Sequence, residues 1–409
     1  MEKIIAKRIR NILEPQLEEE QYGFRGNRTT TDLIFAVRMI MEKYWEKGRD
    51  IIFVFLDIEK AYDSLPREKI WECLSNRNIP QTLIRKVKML YNYCQNCVQI
   101  GDGYSDWFAT TKGVQQGSAL SPLLFISVMD EVIKKVKQNP GNDFKAFAFA
   151  DDVVVWGCTE DEVQQNLNAW NHQFKEFGLQ ISRTKTVAMV VSRQRLHTNI
   201  ELDGVKLEQV EYFQYLGSIM TEDNRCSAEV TNRIKKGAQF YHQVRNLLWD
   251  QQIPLTSKKV MYQAYFLPIM TYGLETCTIN RRDSSRLQAT EMKFLRTMLQ
   301  KTRRDKVRNV KIRSEIQVKP LNETIATSRL KWFGHVKRMN PSRKARVWLE
   351  QDVEGKRPRG RPRTRWISQI KEDLQGRGVN WHQVEEEEMY LNRQIWRALL
   401  CRTRETGDG

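Results

Sequence analysis

The hydrophobic positions along the chain follow two different periods. Segments whose apolar residues recur every three or four positions are typical of amphipathic helices. Such segments cover residues 1–17, 29–48, 66–78, 123–138 and 160–178. Short runs rich in β-branched and aromatic residues are typical of buried strands; these cover residues 51–58, 144–157 and 184–192. The alternation of the two element types predicts an α+β fold built around an antiparallel sheet.

Turn and capping residues mark further elements. We expect Asp63 or Ser64 to cap the helix that has Pro66 in its first turn. Residues 97–113 indicate a hairpin, and residues 383–402 predict one last amphipathic helix that packs against the rest of the chain.

The composition places the chain among globular proteins. It has 409 residues, of which 40% are hydrophobic, enough for two or three cores. No stretch approaches the roughly 18 continuous apolar residues of a membrane span, and MEKIIAKRIR lacks the apolar core of a signal peptide, so we expect an intracellular protein without a membrane partner. Cys94 and Cys97 form a lone CxxC with no second pair at zinc-site spacing, which favours buried thiols over a metal site.

The positive charge is concentrated in one segment. Residues 301–365 contain 21 Lys and Arg against 6 Asp and Glu, so they carry nearly all of the net charge of +17. Trp332, Trp348 and Trp366 interleave with these charges, a combination that can grip nucleic acid by stacking and phosphate contacts. A solvated surface is the alternative, and we favour nucleic acid.

Three carboxylates occupy unusual places in the predicted strands. Asp57 ends one buried strand, and Asp151 with Asp152 forms the turn between two others. One sheet would bring the three together, and a divalent metal such as Mg²⁺ is the natural counter-charge. Two such ions can clamp the attacking and leaving oxygens of a phosphoryl transfer. An aspartate pair at a strand end is by itself more often only a turn.

Six short motifs around these positions resemble those of the reverse transcriptases of non-LTR (LINE-like) retrotransposons. FLDIEKAYDSL, GVQQGSALSPLLF and AFADDVVV resemble motifs A, B and C, with Phe149 where many members have Tyr. GLQISRTKT resembles motif D, with Ser182 where Asn is common; FQYLGS resembles the primer grip and QYGFRGNRTTTD the fingers motif. The motifs keep the family order over residues 20–220.

The resemblance implies a right-hand polymerase with four regions. Residues 1–50 would form partial fingers, 51–220 the palm with interleaved fingers segments, 221–300 a helical thumb, and 301–409 a basic, mainly helical nucleic-acid-binding region. Relative to family members, the chain is expected to be truncated at its N-terminus and to lack their endonuclease.

The resemblance also assigns the catalytic residues. Asp57 and Asp151 would be the main ligands of two Mg²⁺ ions, with Mn²⁺ as a substitute. Asp152 would be a weaker ligand, and the Ile58 carbonyl would complete a site. Lys185 is the candidate to protonate the pyrophosphate leaving group, although lone lysines are usually surface residues.

Further residues would hold the incoming nucleotide. Tyr62 would lie against its sugar and block a 2′-hydroxyl, the alternative being a core aromatic. Gln116 can hydrogen-bond the sugar, and Gly117 allows close backbone approach or marks a tight turn. Arg25 would reach triphosphate or template oxygens and Arg28 nucleic acid, unless both are simply solvated.

The remaining expected contacts are to primer and template. Tyr215, Leu216 and Gly217 form the core of the primer-grip motif. Lys331 and Arg338 lie in LKWFGHVKRMN, which resembles the segment after the thumb in insect-type elements. RGRPR resembles an AT-hook, whose arginines enter the A·T minor groove; a nuclear-import patch or a disordered linker is the alternative. The hook-like arginines are Arg359, Arg361 and Arg363.

The function implied by the resemblance is RNA-directed DNA polymerisation that extends a primer 3′-hydroxyl. Template RNA, primer or target DNA and deoxynucleoside triphosphates are the expected partners, in the nucleus and cytoplasm. The alternative is a remnant that binds nucleic acid without catalysis.

Overall fold

The computed structural model describes residues 1–92, 95–139, 141, 143–360 and 362–402. The chain forms two compact units. One comprises residues 1–33 and 49–211, and the other comprises residues 34–48 and 212–409. Among the described residues, none of the helices combines the length and the hydropathy needed to cross a bilayer.

The first unit combines a five-stranded sheet with helices and short hairpins. Helices precede, connect and cover the sheet; their bounds are α1 Glu2–Leu13, α2 Thr30–Lys47 (shared with the second unit), α3 Ala61–Ser64, α4 Arg67–Asn76, α5 Gln81–Asn92, α6 Ser121–Lys137 and α7 Glu160–Glu176. The strands are β1 Ile51–Leu56, β2 Gln95–Asn96, β3 Gln99–Ile100, β4 Gly103–Tyr104, β5 Phe108–Ala109, β6 Ala146–Phe149, β7 Asp152–Gly157, β8 Val187–Val191, β9 Glu201–Leu202, β10 Val205–Lys206 and β11 Glu208–Gln209.

Strand β1 is the centre of the sheet, whose order is β11-β8-β1-β7-β6. It pairs antiparallel with β7 and β8, β6 pairs antiparallel with β7, and the short β11 is parallel to its neighbour β8. The predicted α+β class with an antiparallel sheet is therefore confirmed. The turn that we predicted at the aspartate pair lies between β6 and β7, where Asp151 is in the turn and Asp152 begins β7.

Every residue of β1 is buried, which explains its uninterrupted apolar sequence. Ile52 and Val54 belong to a large core shared with α6 and α7. Phe53 points to the opposite face, where its ring lies 6.4 Å from that of Trp156. The central strand is thus covered on both faces, and its carboxyl-terminal end carries Asp57.

The second unit is mainly helical. It begins with a hairpin of β12 Tyr212–Tyr215 and β13 Ser218–Thr221. Its helices are α8 Ser227–Trp249, α9 Leu255–Met261, α10 Leu267–Thr271, α11 Arg281–Met298, α12 Asn309–Ile316, α13 Leu321–Lys337, α14 Lys344–Glu350, α15 Trp366–Gln375, α16 Trp381–Glu386 and α17 Arg393–Cys401. One core joins α8, α11 and α12, and a second joins α13, α15 and α17 with residues of α2.

Two local predictions were wrong, and one helix was missed. The helix predicted over residues 383–402 is two helices, α16 and α17, separated by a turn in which Glu388 has a positive φ. The predicted cap by Asp63 or Ser64 does not form, because both lie in the short α3 and Pro66 takes the N-cap position of α4 without a side-chain bond. Helix α5 was not predicted at all.

Two of the interleaved tryptophans are core residues. Trp366 is fully buried and Trp332 is 8% exposed, and the rings of both pack on Phe35. The expectation that they stack on nucleic acid is therefore wrong: apolar burial uses their ring faces. The expectation that the CxxC pair is buried is wrong for Cys97, a free thiol that is only partly buried, and Cys94 lies outside the described residues.

Candidate active site

The backbone of Asp57 is tied to the loop that precedes β8. Its N–H donates to the Thr186 hydroxyl at 3.3 Å, and its carbonyl accepts from the Ser182 N–H at 2.8 Å. Ile58 forms a β-bridge with Ile181. The acceptors of this bridge are the carbonyls of Asp57 and Gln180, so the bridge does not use the Ile58 carbonyl. These bonds hold the carboxylate at the end of β1, beside the motif D loop.

The neighbouring strand brings the other two carboxylates to the same end of the sheet. Leu56 pairs with Val153, so one further step along the register sets Asp57 level with Asp152. Ala150 has φ +57°, a conformation uncommon for a residue with a Cβ atom. This left-handed residue closes the turn that carries Asp151.

The turn is supported by the segment that precedes α2. The Gln21 side-chain carbonyl accepts from the N–H of Gly23 at 3.1 Å and from the N–H of Ala150 at 3.3 Å. A Cβ at Gly23 would lie 2.4 Å from the Ala150 nitrogen, so only glycine fits there. The sequence motifs gave Gln21 and Gly23 no role of their own, although both lie in the QYG sequence of the segment that resembles the fingers motif.

The three carboxylates repel one another. Burial, together with the charges of Asp151 and Asp57, raises the pKa of Asp152 to about 6. Burial and the Asp57 charge also raise the pKa of Asp151, although both side chains still reach solvent. The ammonium of Lys185, whose side chain is 71% exposed, lies 3.5 Å from an Asp57 carboxylate oxygen. The site thus holds excess negative charge that is open to solvent.

This donor set suits a hard divalent cation. Carboxylate oxygens are the ligands that Mg²⁺ and Mn²⁺ prefer, and an added cation would relieve the repulsion. The side chains are not gathered around one point, however: within the part of the chain that the structure describes, no three His, Cys, Asp or Glu side chains converge closely enough to hold an ion. The oxygen donors of the site therefore fit a metal ion, but the three carboxylates do not converge on a single ion position.

Tyr62 lies next to this site. Its ring stacks on Phe125 of α6, with centroids 4.9 Å apart and an interplanar angle of 14°. Burial and the Asp151 charge raise the pKa of Tyr62 to about 12, so the phenol stays protonated at neutral pH. The ring is half-buried, and it is therefore both packed against the core and close to the carboxylates.

The motif B loop meets the same region through its backbone. The N–H of Val114 donates to the Tyr62 carbonyl at 2.8 Å. Gln116 and Gly117 are exposed, and Gly117 has φ +85° with no atom within 4 Å of the place a Cβ would occupy. Solvent-open space therefore lies beside the backbone of Gly117, where a ligand can approach closely.

Arg25 and Arg28 are held by their own segment. The Arg25 guanidinium donates to the carbonyls of Glu18 at 2.5 Å and Gln21 at 3.0 Å. Arg28 donates to both carboxylate oxygens of Glu19, at 2.7 and 2.8 Å, and lies over the Tyr22 ring. Both arginines thus brace the segment that supports the aspartate turn; a contact with nucleotide or template stays a prediction.

Comparison with known proteins decides the family. Residues 1–220, more than half of the chain, match the family described as reverse transcriptase (RNA-dependent DNA polymerase). The chain belongs to the reverse transcriptase family. Reverse transcriptases generally use divalent metal ions, in keeping with the oxygen donors at the carboxylate site.

Similar proteins come from mobile elements. The probable RNA-directed DNA polymerase from transposon BS of Drosophila melanogaster is 24% identical over 334 residues, which are 73% of this chain and 34% of that protein. The Pol polyprotein of the type-1 retrotransposable element R2 of Nasonia vitripennis is 26% identical over 189 residues, 42% of this chain and 18% of that protein. The reverse transcriptase chain therefore spans well under half the length of these relatives.

The predicted resemblance to non-LTR reverse transcriptases is confirmed by these relatives, and the right-hand polymerase class follows from the family. Among solved structures, apo telomerase from Candida tropicalis is 13% identical, with a TM-score of 0.42 over 85% of this chain and 59% of that chain. The proposed boundaries of fingers, palm and thumb remain predictions.

The segment that resembles the primer-grip motif forms the β12–β13 hairpin of the reverse transcriptase. Tyr215 is buried at the end of β12, and the two turn residues, Leu216 and Gly217, both have positive φ, as a tight two-residue turn requires. The Tyr272 hydroxyl donates to the Leu216 carbonyl at 2.8 Å, and Arg233 donates to the carbonyl of Gly217. The turn is thus held rigidly within the second unit.

The basic residues of the second unit differ in their availability. Lys331 is exposed. Arg338 instead donates a hydrogen bond to the Tyr390 carbonyl. Burial and the charges of Arg393 and Arg397 lower the pKa of Arg338. Arg359 is exposed, and Arg361 lies outside the described residues.

The hook-like segment lies against helix α2. The Arg363 guanidinium stacks over the Trp45 ring at 4.1 Å, and Arg365 forms an ion pair with Glu46 at 3.3 Å. Trp366 donates its backbone N–H to Glu42 at 2.8 Å. Arg363 therefore has protein partners here, and its insertion into a minor groove stays a prediction.

Proposed function

We propose that the chain is an RNA-directed DNA polymerase of the non-LTR retrotransposon type. It would add deoxynucleotides to a primer 3′-hydroxyl on an RNA template, the primer being a DNA end. The observation that carries this proposal is the position of Asp57, Asp151 and Asp152 at the same end of a buried antiparallel sheet, in a chain of the reverse transcriptase family.

The carboxylates would bind the catalytic metal. Asp57 and Asp151 are the proposed ligands of two Mg²⁺ ions, which Mn²⁺ could replace, with Asp152 weaker and the Ile58 carbonyl completing one site. When bound, the ions would polarise the primer hydroxyl and neutralise charge on the triphosphate. The raised pKa of Asp152 supports this, because a site that must accept cations benefits from uncompensated negative charge.

The neighbouring residues would select and orient the nucleotide. Tyr62, braced by Phe125, would face the sugar and exclude a 2′-hydroxyl. Gln116 and Gly117 would contact the sugar from the exposed motif B loop. Lys185, whose ammonium is exposed beside Asp57, is the proposed proton donor to pyrophosphate. The hairpin of Tyr215, Leu216 and Gly217 would hold the primer end.

Primer extension tests the proposal. The purified chain should extend a DNA primer on an RNA template with Mg²⁺ and all four deoxynucleotides, and Asp57→Asn or Asp151→Asn should abolish extension. Asp152→Asn should be milder. A matched control is Asp63→Asn, an exposed carboxylate on the neighbouring α3, which should stay active. Extension that persists in the Asp57 and Asp151 variants would contradict the metal assignment.

The alternative, a nucleic-acid-binding protein without catalysis, predicts a different result of the same assay. The wild-type chain would then bind the template and primer but would not extend the primer with either Mg²⁺ or Mn²⁺. Residence in the nucleus and cytoplasm would follow from the proposed DNA and RNA partners.

A further inference from the structure

A second candidate binding site lies in the helical unit, among residues that carry no reverse transcriptase motif. A cavity of about 960 Å³ opens at the carboxyl-terminal ends of α8 and α11. The spacing of its lining residues explains how it forms: Tyr241, Arg245 and Trp249 are each four residues apart, so they share one face of α8. Lys293 and Arg296 line it from α11.

The cavity gathers charge of one sign. Its lining includes five cations against one carboxylate, that of Asp250. The cations are Arg245, Lys293, Arg296, Lys301 and Arg303. Like charges raise each other's electrostatic free energy, and a cavity focuses their field, so a bound anion would be strongly attracted.

Several of these cations are not committed to protein partners. Arg245 and Arg303 are exposed, and within the described residues neither side chain forms an ion pair or a hydrogen bond. Two other lining cations are partly used: Arg296 donates to the Asn309 side chain at 2.6 Å, and the Lys293 ammonium lies over the Tyr241 ring at 4.6 Å. The wall of the cavity thus offers the guanidinium groups of Arg245 and Arg303 to a ligand.

An aromatic ring completes the site. Trp249, the last residue of α8, is 47% exposed, whereas most large rings of this unit are buried. Its carbonyl accepts a hydrogen bond from the Gln300 side chain at 3.3 Å, which fixes the helix end. An exposed indole beside guanidinium groups is a stacking platform for a nucleobase whose phosphates the cations would neutralise.

A structural explanation of the cations is weaker. Basic residues near the carboxyl-terminal end of a helix interact favourably with its dipole, and two helices end here. The interaction with the helix dipole falls off within the last turn, so it accounts for only one or two cations at each helix end. It explains neither Arg303, which lies beyond the end of α11, nor the exposed indole of Trp249.

We propose that this cavity is a binding site for single-stranded RNA, with a base stacked on Trp249 and adjacent phosphates on Arg245 and Arg303. Single-stranded RNA is favoured over duplex because only an unpaired base can offer its face to the indole. The site goes beyond the polymerase proposal, since it uses neither the carboxylates nor a divalent metal.

Binding is measured with a fluorescein-labelled oligoadenylate RNA of about 12 nucleotides, by anisotropy, in EDTA and without nucleotides. Trp249→Ala should weaken binding about tenfold, and Trp249→Phe should retain most of the affinity. The double variant Arg245→Gln with Arg303→Gln should reduce the slope of log affinity against log salt by about 1.4, or about 0.7 for each phosphate contact.

The matched control removes the same amount of positive charge away from the cavity, at the start of α11. Arg281→Gln with Arg282→Gln alters two exposed arginines at the opposite end of that helix and should change the slope little. All variants alter exposed residues, so thermal melting should match the wild type.

The proposal is overturned if Trp249→Ala binds like the wild type, if the control double variant loses as much affinity as the cavity variant, or if Trp249→Ala weakens duplex RNA equally. Asp57→Asn should bind the oligonucleotide normally. If the chain does not extend a primer, the RNA-binding test of the cavity is still valid. If the cavity variants bind RNA normally, the polymerase proposal is unaffected.

Discussion

Tyr62 stacks nearly parallel on Phe125, with 4.9 Å between the ring centroids. This contact makes the tyrosine a core residue on one face, while its phenol stays within the electrostatic range of Asp151. The two alternatives raised by the sequence, a core aromatic and a sugar-facing ring, are therefore compatible: packing on one face would hold the ring still, and only a rigid ring excludes a hydroxyl group.

We expect Tyr62→Ala to raise the incorporation of ribonucleotides relative to deoxynucleotides by about tenfold or more, because the space that the ring filled would admit a 2′-hydroxyl. Tyr62→Phe keeps the ring and should keep the discrimination. Single-nucleotide extension with each triphosphate gives the ratio. An unchanged ratio in Tyr62→Ala would show that the ring is packing alone.

Mg²⁺ should stabilise the first unit, because bound cations relieve the repulsion among Asp57, Asp151 and Asp152. The melting temperature of the wild-type chain should rise as Mg²⁺ is added, and the rise should be much smaller in Asp57→Asn or Asp151→Asn. In the absence of metal, Asp152→Asn should stabilise the chain at neutral pH by about 1 kcal/mol, after allowance for the solvent exposure of the group.

A general effect of salt on the highly charged chain would give a different pattern. It would raise the melting temperature equally in the wild type and in the aspartate variants. Sodium chloride at matched ionic strength is therefore the control, and an equal response to both salts would argue against a metal site.

Gly23→Ala should impair catalysis without touching a catalytic group. The new Cβ would lie 2.4 Å from the Ala150 nitrogen, so the turn that carries Asp151 must shift. We expect the polymerisation rate to fall at least about tenfold, with the nucleotide KM changing less. Gly26→Ala, in the same segment, would meet only the flexible Glu14 side chain and is the control. Equal rates in the two variants would contradict this role of Gly23.

The half-buried Glu42 predicts a pH dependence of stability. Burial raises the pKa of Glu42 to about 7, although the Trp366 N–H opposes this. Because the folded state then binds a proton more tightly than the unfolded state, stability is full below about pH 4.5 and is lost as the pH rises through 7. Glu42→Gln keeps the hydrogen bond and should remove this loss, a difference of about 3 kcal/mol at pH 8.

Urea unfolding at pH 5 and pH 8 measures this difference. Glu46→Gln, one turn further along α2, removes a carboxylate that forms ion pairs at the surface and should leave the pH dependence in place. If the wild type and Glu42→Gln lose stability in parallel between the two pH values, the Glu42 carboxyl is not the cause.

The sequence alone determined where the candidate chemistry lies. An unbroken apolar run needs burial on both faces, so β1 could be predicted with Asp57 at its end, and a short hairpin around Asp151 and Asp152 is expected from the same local pattern. The order of the motifs along the chain also predicted the protein family and the roles expected of individual residues. These features depend on neighbouring residues, and local sequence carries that information well.

Tertiary structure alone decided what the surrounding residues do. Trp332 and Trp366 stand among arginines in the sequence, but they fill a core with Phe35, which lies far earlier in the chain. Likewise, Gln21 supports the aspartate turn from a distance of 129 residues. Such pairings depend on which surfaces meet after the chain folds. The periodicity of one segment cannot predict such contacts, because the free energy that favours them comes from packing between distant segments.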